Sequence, residues 1–143
     1  MISDDAILLE AIRLVGEGVS VTFPVNGRSM LPFIAGGRDS VILEPPREPG
    51  IGDIVLAKTD AGHFVIHRVV SMDERSVTLM GDGNLAGREH CDRQEIYATV
   101  RFVIGPGGKR RSLATFRSRT AVKIWYILLP LRRYLLWIYR KAT

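Results

Sequence analysis

Hydrophobic and polar positions change period along this chain, and the changes mark its elements. Ile7, Leu8, Ala11, Ile12, Leu14 and Val15 recur at the three- and four-residue spacing of one helix face. Ser3 is placed to cap that helix, and Gly16 and Gly18 to end it. Past Gly18 the period falls to two: Val19, Val21, Phe23 and Val25 alternate with Ser20 and Thr22, the pattern of a half-buried strand. Further strands are predicted over 40–44, 53–58, 64–71, 76–80 and 96–104. Pro45-Pro46 and Pro49-Gly50 break the run between two of them, and Asp60-Ala61-Gly62 suits a hairpin turn. The expected fold is mostly β, of the α+β kind, with a helix at each end. Three parts follow: an N-terminal helix over 1–18, a β domain over 19–105, and a basic, apolar helical tail over 106–143.

A length of 143 residues suits one domain with a real core. Charge is split along the chain. Residues 1–95 hold all 15 acids and nine bases, a net of −6, whereas residues 96–143 hold 11 bases and no acid. A basic tail on an acidic body points to an anionic partner. The single cysteine, Cys91, excludes an internal disulfide and a cysteine-based metal cluster. The three histidines have no ligand spacing, so neither metal nor cofactor is expected. Met1-Ile2-Ser3-Asp4-Asp5 is acidic and leads into the helix, unlike a signal peptide.

Four short motifs carry the candidate chemistry: Gly27-Arg28-Ser29-Met30-Leu31-Pro32, Gly52-Asp53-Ile54-Val55, His67-Arg68-Val69-Val70 and Gly81-Asp82-Gly83-Asn84. A hydroxyl nucleophile needs a neighbouring base, and the base a group that orients it. Ser29, His67 and Asp82 supply those types. Alternation over 64–71 puts His67 with Val65 and Val69, and Arg68 with Ile66 and Val70. Apolar residues on both faces make this a central strand, so His67 is expected to be buried, with a lowered pKa that keeps it able to accept a proton. Lys58 is the alternative base and Cys91 the alternative nucleophile, while Asp53 reads as a turn former. His63 and His90 read as exposed turn residues.

The order of these motifs resembles the serine peptidase superfamily of type I signal peptidases and LexA-type self-cleaving repressors. The resemblance covers roughly residues 20–100. His-Arg-Val is similar to the endoplasmic-reticulum and archaeal signal peptidases, which use histidine where bacterial enzymes have lysine. It implies a signal-peptidase/LexA-like β-fold, with Ser29 as nucleophile, His67 as base, and Asp82 or Asp92 as the third residue. Asp92 enters through Cys91-Asp92-Arg93-Gln94-Glu95-Ile96-Tyr97, which resembles the family's Asp-Arg-x-Leu-Tyr stretch. Gly27 stands where some members place a hydroxyl residue for the oxyanion hole. Backbone amides near Ser29 would serve instead. Arg28 before the nucleophile is unusual and has no account. The N-terminal membrane anchor usual in signal peptidases is not found. No Ala-Gly or Cys-Gly cleavage pair precedes Ser29, which argues against self-cleaving repression. The reading is a cytoplasmic serine endopeptidase that cuts a leader or precursor peptide.

Simpler roles exist for the same residues: Ser29 as a loop cap, His67 as a core histidine, Asp82-Gly83 as an ordinary turn. The tail has two readings as well. Its apolar run over 120–131 is about half the ~20 residues a spanning helix needs. Arg132 and Arg133 interrupt it before Tyr134-Leu135-Leu136-Trp137-Ile138-Tyr139. On a helical wheel Lys123, Arg133, Arg140 and Lys141 gather on one side, with Arg132 off it. Aromatics flanked by bases suit a helix lying on an anionic membrane surface, kinked at Pro130, peripheral to the inner face. The other reading is a helix docked on the domain or in a dimer contact. The long aliphatic run argues against nucleic acid. The alternative function is a non-catalytic membrane-surface adaptor using residues 109–143.

Overall fold

The computed structural model describes residues 4–25, 30, 33–83, 87–113, 124, 136 and 137. Its first element is helix α1 (Asp4–Gly16). Leu8, Ala11 and Val15 are buried and Ile12 packs beside them, one stripe at helical spacing. The helix ends where the backbone turns left-handed at Gly18, φ +89°. The Val19 N–H donates to the Leu14 carbonyl at 3.1 Å and the Gly18 N–H to Val15 at 2.9 Å, so both orphan carbonyls are satisfied. Ile7, expected on the buried side, is 50% exposed; it sits one position off the stripe.

Eight strands follow among the described residues, all pairing antiparallel: β1 (Val21–Pro24), β2 (Ser40–Glu44), β3 (Ile54–Lys58), β4 (Phe64–Met72), β5 (Ser76–Met80), β6 (Glu89–Asp92), β7 (Ile96–Ile104) and β8 (Arg110–Ser112). Their order is β1-β2-β7-β3-β4-β5-β6, with β8 on β7. The fold is therefore mostly β with an N-terminal helix, as the periodicity indicated. Bulges at Ile42/Leu43, Leu56/Ala57 and Val69/Ser71 shift the register. The sheet separates two apolar layers. One holds α1 with Val25, Met30, Ile34, Val41, Leu43, Ile54, Leu56, Ala98, Val100 and Val103. The other holds Val55, Ala57, Val69, Val77, Leu79, Cys91 and Ile96.

Two elements depart from the sequence expectation. The tail does not begin at residue 106: a 3-10 turn (Pro106–Gly108) leads into β8. There Arg110 pairs with Ile104 and Ser112 with Phe102. Leu113 then packs on the α1 layer and donates its N–H to the Arg101 carbonyl at 3.0 Å. The sheet thus runs to Ser112. The second is β6, whose Glu-His-Cys-Asp sequence carries no apolar alternation. Ser3 and most of the tail lie outside the described residues. Of the tail, Leu136 is 1% exposed and Trp137 59%. Among the described residues no helix is long and apolar enough to cross a membrane.

Candidate active site

Arg68 joins three of the four motifs, and the first reaches the same cluster through Met30 and Asp82. Its side chain is buried in the middle of β4, where a guanidinium must have all its charge answered. Nε donates to Oδ1 of Asp82 at 2.8 Å and Nη2 to Oδ2 at 2.7 Å, a bidentate fork on a carboxylate that is 0% exposed. Nη1 donates to the carbonyl of Gly52 at 2.8 Å. That carbonyl is aimed by the turn before β3, where Gly52 adopts φ +99°, a conformation that an L side chain strains to reach. The turn is fixed by Asp53, which accepts the Gly50 N–H at 2.9 Å, the structural role expected of it. The guanidinium also lies 5.7 Å from the centroid of the Phe33 ring.

Ser29 itself, with Gly27 and Arg28, lies outside the described residues. Its neighbour Met30 does not. Met30 is buried, and its Sδ accepts the backbone N–H of Asp82 at 3.4 Å. The Phe33 and Ile34 amides close a turn on the Met30 carbonyl, at 3.1 and 3.0 Å. The first and fourth motifs are thereby in direct contact.

His67, next to Arg68 in sequence, points to the opposite layer with Val65 and Val69, as alternation required. It is 6% exposed. Its Nδ1 lies 2.7 Å from Oε1 of Glu89 on β6. The strand register explains the meeting: Val69 pairs with Leu79 and Leu79 with Glu89. Arg68 pairs with Met80, and continuing that register by one residue sets His67 opposite Gly81. Burial pushes the His67 pKa below its ordinary value. The charge and contact of Glu89, then the charge of Asp82, oppose this without overcoming it. The imidazole is therefore neutral near pH 7. A proton on Nδ1 would face the Glu89 carboxylate and would leave Nε2 with the lone pair.

The structure places the two expected third residues apart from the His67 Nδ1 contact, which Glu89 makes. Asp82 is at the site, yet its two oxygens are held by Arg68, so it acts as that cation's counterion. Asp92 stands three residues along β6 from Glu89, where it caps a 3-10 turn (Arg93–Glu95) by accepting the Gln94 N–H at 2.9 Å. Glu89 holds the position the sequence reading gave to an aspartate. Only the register of β6 identifies it, because no turn motif surrounds it. Lys58 is exposed at the far end of β3, three register positions from His67, with Nζ 5.7 Å from the Phe64 ring centroid. Cys91 is buried, and desolvation, then the charges of Asp60, Asp92 and Glu95, raise its thiol pKa to about 11. Neither the lysine nor the thiol is poised for catalysis. His63 is exposed as expected, and so is His90, which sits on β6 rather than in a turn. Among the described residues no group of histidine, cysteine and carboxylate side chains could hold a metal ion. Comparison with protein-family models, with curated proteins and with solved structures finds no match to this chain.

Proposed function

We propose that this chain is a serine endopeptidase, resembling signal peptidases, that cleaves a leader or precursor peptide. Ser29 is the nucleophile, His67 the general base and Glu89 the residue that orients His67. The observation that carries the reading is the buried His67 with a carboxylate 2.7 Å from Nδ1, burial pushing its pKa below the ordinary histidine value. Core histidines need no such acid, and a base paired this way presents Nε2 to a hydroxyl. Met30, covalently next to Ser29, contacts Asp82, whose charge reaches His67; this supports Ser29 as the hydroxyl concerned.

In the proposed reaction the Ser29 oxygen attacks the scissile carbonyl as its proton passes to His67 Nε2. The leaving amine takes that proton, and water then hydrolyses the acyl-enzyme by the same route. Glu89 holds the tautomer and stabilises the imidazolium. Arg68 and Asp82 act as positioning residues that tie the strands to the Met30 turn. The basic tail is proposed to rest on an anionic membrane surface. Exposed Trp137 supports this, while buried Leu136 gives that segment a protein-facing side.

The test is covalent labelling of the full-length chain with a fluorophosphonate probe, followed by peptide mapping. An adduct on Ser29 that disappears in His67→Ala supports the assignment. Labelling on another residue, or none on folded protein, refutes it and favours the non-catalytic adaptor.

A further inference from the structure

We propose that the β7–β8 hairpin and the sheet face beside it bind an anionic lipid surface, giving the peptidase body a membrane contact of its own. The inference rests on the membrane reading above and locates part of it on the rigid sheet. Lys109, Arg110 and Arg111 follow one another at the hairpin, all exposed. Alternation separates their uses. Arg111 turns toward the α1 layer and donates to the carbonyl of Phe33. Arg110 faces the other way, its guanidinium 4.0 Å from the Phe102 ring centroid.

The register defines what accompanies Arg110. Ser40 pairs with Ile104 and Ile104 with Arg110; Ile42 pairs with Phe102. Ile42, Phe102 and Ile104 are therefore on one face, only half-buried, and belong to neither core cluster described above. The neighbouring carboxylates are engaged: Asp39 by Arg38 at 3.0 Å, and Glu44 faces Arg101 at 3.7 Å. No acid follows Glu95 in the sequence. Lys109 and Arg110 thus present positive charge at the border of an apolar patch.

That combination selects the partner. Phosphate headgroups answer the two bases, while the acyl boundary beneath them accepts the aliphatic and aromatic carbons. A nucleic acid would use rings open for stacking, and the Phe102 ring of this patch is already covered by Arg110. Through Arg111 and Phe33 the hairpin is joined to the segment that follows Ser29, so lipid contact would set the site at a fixed height above the bilayer.

The test is co-sedimentation of the full-length chain with vesicles of equal parts phosphatidylcholine and phosphatidylglycerol, and with phosphatidylcholine alone. Each base near an anionic surface contributes about a factor of five, so losing both removes about 25-fold, and Lys109→Glu with Arg110→Glu, which also adds two negative charges, should weaken anionic-vesicle partitioning by more than about 25-fold. Binding to the neutral vesicles should not change. Lys109→Gln with Arg110→Gln should shift partitioning the same way by less, and serves if charge reversal disturbs the hairpin. Wild-type chain that ignores anionic vesicles overturns the whole membrane reading. Wild-type chain that binds, with hairpin variants binding equally well, overturns the hairpin assignment alone. Tighter binding to single-stranded RNA than to the vesicles overturns lipid as the partner.

Discussion

Replacing Asp82 by asparagine separates a structural role from a catalytic one. In the folded chain both Asp82 oxygens accept from Arg68, and neither side chain reaches solvent to a useful extent. Asparagine keeps the shape but offers one acceptor and no charge, so Arg68 is left buried with its cation unanswered. Breaking a buried pair from one side costs about 3–5 kcal/mol. A domain stable by ~5–15 kcal/mol loses a large part of its margin. At roughly 3 °C per kcal/mol for a chain of this size, Tm should fall by about 9–15 °C. Arg68→Met combined with Asp82→Leu removes both charges and should recover most of that loss. Differential scanning calorimetry on the three proteins measures both numbers. A fall of less than about 3 °C in Asp82→Asn, or a double variant as unstable as the single one, would refute the counterion account. Asp92→Asn makes the contrast: asparagine caps a helical turn as well as aspartate does, so neither stability nor turnover should move.

Glu89→Gln should lower kcat by about two orders of magnitude, because the amide no longer enforces the His67 tautomer. It should also move the acid limb of the rate profile to lower pH, since burial then acts on His67 without the opposing carboxylate. Glu89→Asp should restore part of the rate. The same lowered His67 pKa has a stability consequence. Below the unfolded value near 6.5 the unfolded chain takes up a proton that the native histidine refuses, so this residue's contribution is lost as pH falls toward its native pKa. The difference in urea midpoint between wild type and His67→Gln should change in that window and be constant above pH 7. Cys91, with its thiol near pKa 11, should stay unmodified by iodoacetamide at pH 7.5 until the protein unfolds, as intact mass will show.

What could be read in advance depended on whether one strand's residues carried the signal. β2, β5 and β7 were legible because Val-Ile-Leu-type runs sit between clear breaks, and α1 because Leu8, Ala11, Ile12 and Val15 repeat at helical spacing. β6 and β8 were not, because Glu-His-Cys-Asp and Arg-Arg-Ser become strands only by pairing with β5 and β7. The site divides in the same way. His67 and its burial followed from alternation within β4, and the motifs around Arg68 were each visible in sequence. Their shared partner was not, because contacts to Gly52, Phe33 and Asp82 are set by tertiary packing. Glu89 was hidden for the same reason. Asp82 stands in a recognisable turn and Asp92 in a stretch that resembles the family's, while the acid beside His67 comes from a strand with no pattern of its own.

The central claim is that Ser29 attacks a peptide carbonyl with His67 as its base. The most direct measurement is turnover of a peptide, selected from a library by wild-type cleavage, by the Ser29→Ala chain. The account predicts a loss of at least about 100-fold, as removal of the nucleophile from a cooperating set produces. Tm should stay within the wild-type range. Unchanged turnover in a folded Ser29→Ala chain would contradict it.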